Sequence, residues 1–138
     1  MRQVIPNRLW IGNARDARAA RDILKAEIAA VVDLALEEPA AELPRDLIHC
    51  RIPLLDGEGN SDAVLWLAVQ TVYQLIRAAV PTLVACSGGM SRSPAITALA
   101  LSKLHGRAAA AVLEEITDQA PHDISSALWS QLNKLNNV

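Results

Sequence analysis

The chain has no phenylalanine, one tyrosine and three tryptophans among 138 residues. Its interior must therefore be built from Leu, Ile, Val and Ala, and walls of aromatic rings are not available to it. Cysteine is nearly as scarce. Two residues, Cys50 and Cys86, cannot make a disulfide framework, so free thiols in a reducing cytoplasm are expected. An export segment is not evident, because Met1 to Pro6 leads directly into Asn7, Arg8, Leu9 and Trp10. Long apolar runs are missing too: Gln70, Thr71, Gln74 and Arg77 interrupt one candidate, Ser102 and Lys103 another. Nor is there a basic excess, with 13 Lys+Arg against 15 Asp+Glu, and the nearest cationic group, Arg15, Arg18 and Arg21, reads as a solvated helix face. Neither nucleic acid nor a membrane is an expected partner, and without a glycine-lysine phosphate loop neither is nucleotide hydrolysis.

What is present reads as one compact globular domain over residues 1–138, with 51% hydrophobic and 20% charged residues. Leu9 to Gly12 predicts a short strand, and Asp16 to Glu27 a helix with Ala17, Ala20, Ile23 and Leu24 toward the core. Ile28 to Leu34 reads as a buried strand, Glu37 to Asp46 as a proline-containing loop, and Leu47 to Leu55 as another strand. After the turn Asp56 to Asn60 comes a helix over about Asp62 to Ala79, capped by Asn60 or Ser61. Thr82 to Cys86 is a buried strand, followed by a helix from Ser93 or Pro94 to His105, with Gly106 in the left-handed capping position. Two more helices, Arg107 to Gln119 and Ile124 to Asn136, flank Pro121, with Asp123 a candidate cap for the last. Strands alternating with helices predict an α/β fold: a central, mainly parallel sheet of about four to five strands, flanked by helices.

Sites in open parallel sheets lie at the carboxyl ends of the strands, and the stretch VACSGGMSRSP, Val84 to Pro94, occupies such an end. Ser87, Gly88, Gly89, Met90 and Ser91 form a loop whose glycines let successive amides curl inward as an oxyanion nest. The next helix adds the positive end of its dipole, Pro94 fits its first turn, and Arg92 offers a planar fork matched to two phosphate oxygens. Cysteine in such a place is a thiolate nucleophile, which singles out Cys86. Ser93 can donate a hydrogen bond to the sulfur, and Asp56, at the end of the preceding strand, can handle the proton.

The run CSGGMSRS resembles the C-x5-R-[ST] signature of cysteine-dependent protein phosphatases, and GMSRSP is most similar to their dual-specificity branch. The similarity extends through IPNRLWIGNARDA, AAVVDLALEEP, IPLLDGEGN and DISSALWSQL, in family order across nearly the whole chain. The resemblance implies the dual-specificity (phosphotyrosine phosphatase II type) fold. It implies that Cys86 forms a thiophosphate intermediate, that Arg92 with the amides of Ser87, Gly88, Gly89, Met90 and Ser91 binds phosphate, and that Asp56 serves as acid and then base. Ser93 matches the hydroxyl that assists breakdown of the intermediate. The resemblance implies no metal and no cofactor, and inorganic phosphate is the expected product. The family places histidine before the cysteine where this chain has Ala85, so a raised Cys86 pKa and slower turnover are expected.

Other readings compete. A rhodanese-type sulfurtransferase also carries a cysteine at a strand-to-helix loop, but Asp56 and the Arg92-Ser93 pair favour a phosphatase. A catalytically weak or idle phosphate-binding module is the alternative that Ala85 keeps open. Phospholipid- and RNA-directed relatives carry basic loop residues, whereas this loop is neutral, which points to a phosphorylated protein or a small phosphomonoester. With few aromatics the cleft is expected to be shallow, suited to phosphotyrosine or phosphoserine/threonine. Among acids, Asp56 is preferred to Glu58 and Asp62. Cys50 reads as a packing residue, although a disulfide with Cys86 is conceivable if their strands adjoin. Asp33 is read as a polar strand end, Trp10 and Trp66 as packing residues, and His105 and His122 as surface residues.

Overall fold

A computed structural model describes residues 1–118 and 120–136. Five strands form one sheet in the order β1-β2-β5-β3-β4, with β1 Arg2–Ile5, β2 Leu9–Gly12, β3 Ala30–Ala35, β4 Ile48–Leu54 and β5 Thr82–Ala85. The hairpin of β1 and β2 is antiparallel, and every other pairing is parallel. Strands buried on both faces should be apolar throughout, and β2, β3 and β5 are buried along their whole lengths. The predicted α/β class and mainly parallel sheet are borne out. β1 was not foreseen: its RQVI sequence carries no alternating pattern, and it forms by pairing with β2 at the sheet edge.

Helices cover both faces. On one side lie α1 (Ala14–Arg18) and α2 (Ala20–Lys25), burying Ala17 and Ile23 against Trp10, Val31, Leu83 and Ala85. This is where one helix over Asp16 to Glu27 was expected. Instead the chain breaks at Ala19 (φ −85°, ψ 71°), and Asn13 and Asp16 close a reciprocal capping box that starts α1 earlier. The break also turns Leu24 outward, against expectation.

The other face carries the larger core, from α3 (Asp62–Arg77), α4 (Arg92–His105), α5 (Ala109–Thr117) and α6 (Ser126–Asn136). Ser61 caps α3 by accepting from the Val64 amide, and Gly106 ends α4 at φ 64°, as expected. Ser125, not Asp123, caps α6, because its hydroxyl accepts from the Leu128 amide. α5 is shorter than the predicted Arg107 to Gln119, and Gln119 lies outside the described residues. Small side chains decide the position of α4. Ala95, Ala98 and Ala100 are fully buried, letting the helix sit close to the sheet while α3, α5 and α6 pack around it. Each fully buried Leu or Ile around it, among them Ile96, Leu65 and Leu128, contributes about 1.5–3 kcal/mol through removal from water.

No helix among the described residues is long and apolar enough to cross a membrane. The sheet order also removes one expectation. β3 lies between β5 and β4, with Val32 facing Val84 on one side and Cys50 on the other. Two strand spacings of about 4.8 Å put the Cys50 and Cys86 backbones beyond the ~7 Å limit for a disulfide, so the two thiols are not on adjacent strands and stay free.

Candidate active site

The loop from Ser87 to Ser91 leaves the carboxyl end of β5 and enters α4 at Arg92, one residue earlier than predicted. Cys86 sits at its foot, 2% exposed, with its amide donating to the Gly12 carbonyl at 3.3 Å. Ser87 answers by accepting from the Ala14 amide at 3.1 Å, so the end of β2 braces the loop from below. Gly89 adopts φ +72°, and a Cβ there would lie 2.9 Å from the Gly12 carbonyl oxygen. Among the described residues, the amides of Ser87, Gly88, Gly89, Met90 and Ser91 donate to no carbonyl. A curled loop with unpaired amides at the start of a helix has the form of an anion nest.

Arg92 is 3% exposed, and its fork is divided between two tasks. Nη1 and Nη2 grip the two Glu37 carboxylate oxygens at 2.6 and 3.0 Å, and Nη1 also donates to the Leu54 carbonyl at 2.8 Å. That uses three of the five N–H groups. Nε is buried with no partner among the described residues, and beside it lies the second Nη2 hydrogen, so the side edge of the guanidinium remains a two-pronged donor. A buried cationic donor without an acceptor is costly unless something binds there. Burial opposes the charge on Arg92, but the Glu37 hydrogen bonds and the neighbouring charges of Cys86, Glu37 and Asp56 outweigh it and raise its pKa above the ordinary value. On the partner, the Arg92 hydrogen bond holds the Glu37 carboxyl below its ordinary value despite some desolvation.

Glu37 and Glu38 follow the carboxyl end of β3, and their loop is itself held. Arg51 on β4 pairs with the buried Asp33 at 2.9 Å and donates to the carbonyls of Ala35 and Glu38 at 3.2 and 2.7 Å. Asp33 was expected to end its strand and instead lies inside β3, two residues before its end, where it has the structural role that was expected. Ser87 Oγ reaches Glu38 at 3.0 Å and ties this loop to the nest.

Asp56 follows β4. Asn60 shapes its turn, accepting from the Leu55 amide and donating to the Leu55 carbonyl, both at 2.8 Å. The Asp56 carboxylate accepts from Ser91 Oγ at 2.6 Å, and Ser91 Oγ accepts in turn from the Ser125 amide at 2.9 Å. Glu58 and Asp62, its rivals in sequence, do not line the pocket. Asp62 instead takes a hydrogen bond from Gln131 at 2.8 Å. Ser93 Oγ is fully buried and has no hydrogen-bond partner among the described residues, so the bond to the Cys86 sulfur is not formed. Ala85 is fully buried on the opposite side of the sheet from Cys86, packed with Trp10, Ala17 and Ile23. His105 and His122 are exposed, and Trp66 lies on the surface against Lys103.

These parts enclose a pocket of about 280 Å³ lined by Glu37, Asp56, Cys86, Ser87, Gly88, Met90, Ser91, Arg92 and Asp123. Of the predicted residues, Cys86, Asp56, Arg92 and the loop, apart from Gly89, therefore line one cavity. Gly89 faces the neighbouring cleft and Ser93 is buried beneath. Glu37 and Asp123 were not foreseen. The loop after any strand bordering β5 opens at this end of the sheet, a signal that required the strand order. Asp123 is brought in by the hydrogen bond from its amide to the Met90 carbonyl at 2.9 Å, for which the sequence holds no signal.

The arrangement can bind a tetrahedral oxyanion above a thiol, with a carboxyl group to one side. The chain matches no family model. It is 27% identical over 128 residues to human dual specificity phosphatase 28, covering 91% of this chain and 72% of that one. The crystal structure of that human protein superposes with a TM-score of 0.81 at 25% identity, covering 98% of this chain and 94% of the other. A mouse dual-specificity phosphatase solved with zinc tungstate gives the same TM-score and identity over 98% and 85% of the chains. A human tyrosine phosphatase-like serine/threonine/tyrosine-interacting protein reaches a TM-score of 0.80 at 13% identity over 98% of this chain and 94% of that one, a likeness of fold alone.

Proposed function

We propose that this chain, a member of the dual-specificity phosphatase family, hydrolyses phosphomonoesters of proteins through a cysteinyl-phosphate intermediate. The observation that carries this reading is the free edge of Arg92, a buried Nε and Nη2 pair beside the unpaired amides of the 87–91 loop, with Cys86 at its foot. Three equatorial phosphate oxygens need several donors fixed in advance, and these groups supply them without rearrangement. The tungstate bound by the mouse relative, itself a tetrahedral oxyanion, supports the same assignment.

In the first step the Cys86 thiolate forms a bond to phosphorus while the phosphorus–oxygen bond to the leaving group breaks. Asp56 delivers its proton to the departing oxygen. In the second step water attacks the phosphocysteine, Asp56 takes a proton from that water, and the Cys86 thiolate leaves with inorganic phosphate as the other product. Ser91 holds the Asp56 carboxyl toward the pocket, and assistance of the departing sulfur is assigned to Ser93 by its place after Arg92. The whole catalytic unit is proposed to lie within residues 1–138. Free Cys50 and Cys86 suit a reducing compartment such as the cytoplasm.

One observation favours a second reading, phosphate binding without turnover: the Ser93 hydroxyl does not reach the sulfur. Assay of p-nitrophenyl phosphate with wild type beside Cys86→Ser separates the two. Turnover by the wild type and none by Cys86→Ser is the expected result, whereas tungstate binding without turnover in either would favour the module. Asp56→Asn should depress turnover on poor leaving groups by about 10²–10⁴-fold and much less on p-nitrophenyl phosphate.

A further inference from the structure

The mouth of the pocket is richer in carboxylates than the binding of a dianion requires. Glu37, Asp56 and Asp123 all line it, and Glu38 lies behind Ser87. The cations of the same region are already engaged: Arg92 by Glu37, Arg51 by Asp33, and Arg18 by Glu38 at 3.7 Å. Arg2, in the adjoining cleft, donates Nη1 to the Ile116 carbonyl and keeps Nη2 out of water.

The unpartnered Nε of Arg92 marks where the phosphoryl group enters, and the carboxylates then govern what can accompany it. Asp56 is occupied by Ser91 and by the proposed proton transfer. Glu37 and Asp123 remain. Glu37 is 55% exposed and gives Arg92 one lone pair from each oxygen, leaving others toward the mouth. Asp123 is exposed, is anchored to the loop only through its backbone amide, and makes no side-chain hydrogen bond or ion pair among the described residues. Among these charges the exposed apolar side chain of Met90 lines the same pocket, and Leu36 and Leu55, next in sequence to Glu37 and Asp56, are exposed as well. Carboxylates set among apolar surface fit a side chain with a methylene stem and a cationic head.

We propose that the mouth selects phosphopeptides carrying Lys or Arg beside the phosphorylated residue. This inference rests on the phosphatase reading. A lysine next to the phosphoryl group pairs with Asp123 or with the lone pairs that Glu37 leaves free and lays its stem on Met90, whereas a glutamate there meets the unpaired Asp123 carboxylate.

The test uses two phosphopeptides of equal length that differ only in lysine or glutamate flanking the phosphoresidue. Titrated calorimetrically into Cys86→Ser at low salt, the lysine peptide should bind at least about fivefold tighter, the sum of a few partly exposed charge interactions. The ratio should shrink at high salt and fall about twofold in Cys86→Ser/Asp123→Asn. Because the preference is a ratio within one variant, loss of folded protein cancels. Equal affinities, or tighter binding of the glutamate peptide, would overturn the proposal. So would binding of tungstate with neither peptide bound. Failure to bind tungstate as well would overturn the phosphatase reading first, and this inference with it.

Discussion

Two arginine–glutamate forks occur among the described residues, and their geometry is nearly the same. Arg92 grips Glu37 at 2.6 and 3.0 Å, and Arg107 grips Glu115 at 2.9 and 2.5 Å. Each arginine also follows a loop with a left-handed glycine, Gly89 in one case and Gly106 in the other. Everything else differs. Arg107 and Glu115 are 44% and 59% exposed, so solvent screens the pair, while Arg92 is 3% exposed, lines a cavity and has a donor without a partner among the described residues. The ion pair is common chemistry. What makes one of them part of a site is burial together with an unused donor.

Replacing Arg92 by Lys tests that difference most severely. A point charge cannot hold Glu37, Leu54 and a phosphoryl group at once, so kcat/KM toward p-nitrophenyl phosphate should fall by about 10²–10³-fold. Gly89→Ala comes next. A left-handed alanine costs about 1–2 kcal/mol, and the contact with the Gly12 carbonyl adds overpacking of about 1–3 kcal/mol, to be read by denaturant unfolding.

Glu37→Gln should raise KM and lower kcat/KM toward p-nitrophenyl phosphate about tenfold, since the charge-assisted fork that orients Arg92 is replaced by a weaker one. It carries a pH signature. The Glu37 pKa is depressed from 4.5, so the stability it contributes is fully present above that value and is lost as pH falls through its lowered folded value. The stability gap between wild type and Glu37→Gln should be flat from neutral pH to about 5 and close below 4.5. A gap that persisted there would show that the carboxylate charge is not the cause.

Gly106→Ala should cost only the backbone term, about 1–2 kcal/mol, because nothing lies within 4 Å of its missing Cβ. Smallest of all, Arg107→Gln should leave both turnover and the melting temperature unchanged. An effect comparable to that of Glu37→Gln would erase the contrast between the two forks.

The two regions were not equally legible in the sequence. Cys86, the glycines and Arg92 lie within seven consecutive positions, so one local conformation brings them together and their spacing alone states the chemistry. Asp56 was legible through its place after a strand and through family likeness. Glu37 and Asp123 were not, because what brings them to the pocket is the placement of β3 next to β5 and a backbone contact across the loop to Met90. The same ignorance of strand order allowed Cys50 and Cys86 to be imagined as neighbours. Nor did the sequence mark the break at Ala19, where no glycine or proline interrupts the helical pattern and the capping box at Asn13 sets the start instead.

α4 is buried on nearly every side, Arg92 through Ser102 without interruption. The 87–91 loop runs directly from β5 into that helix. The amides of α4 should consequently exchange with solvent as slowly as those of the core, by opening of the whole structure, whereas the unbonded amides of the partly exposed loop exchange fast. On the proposed reading, the donors around the pocket are set in place when α4 folds, so affinity for an oxyanion is largely invested before substrate arrives.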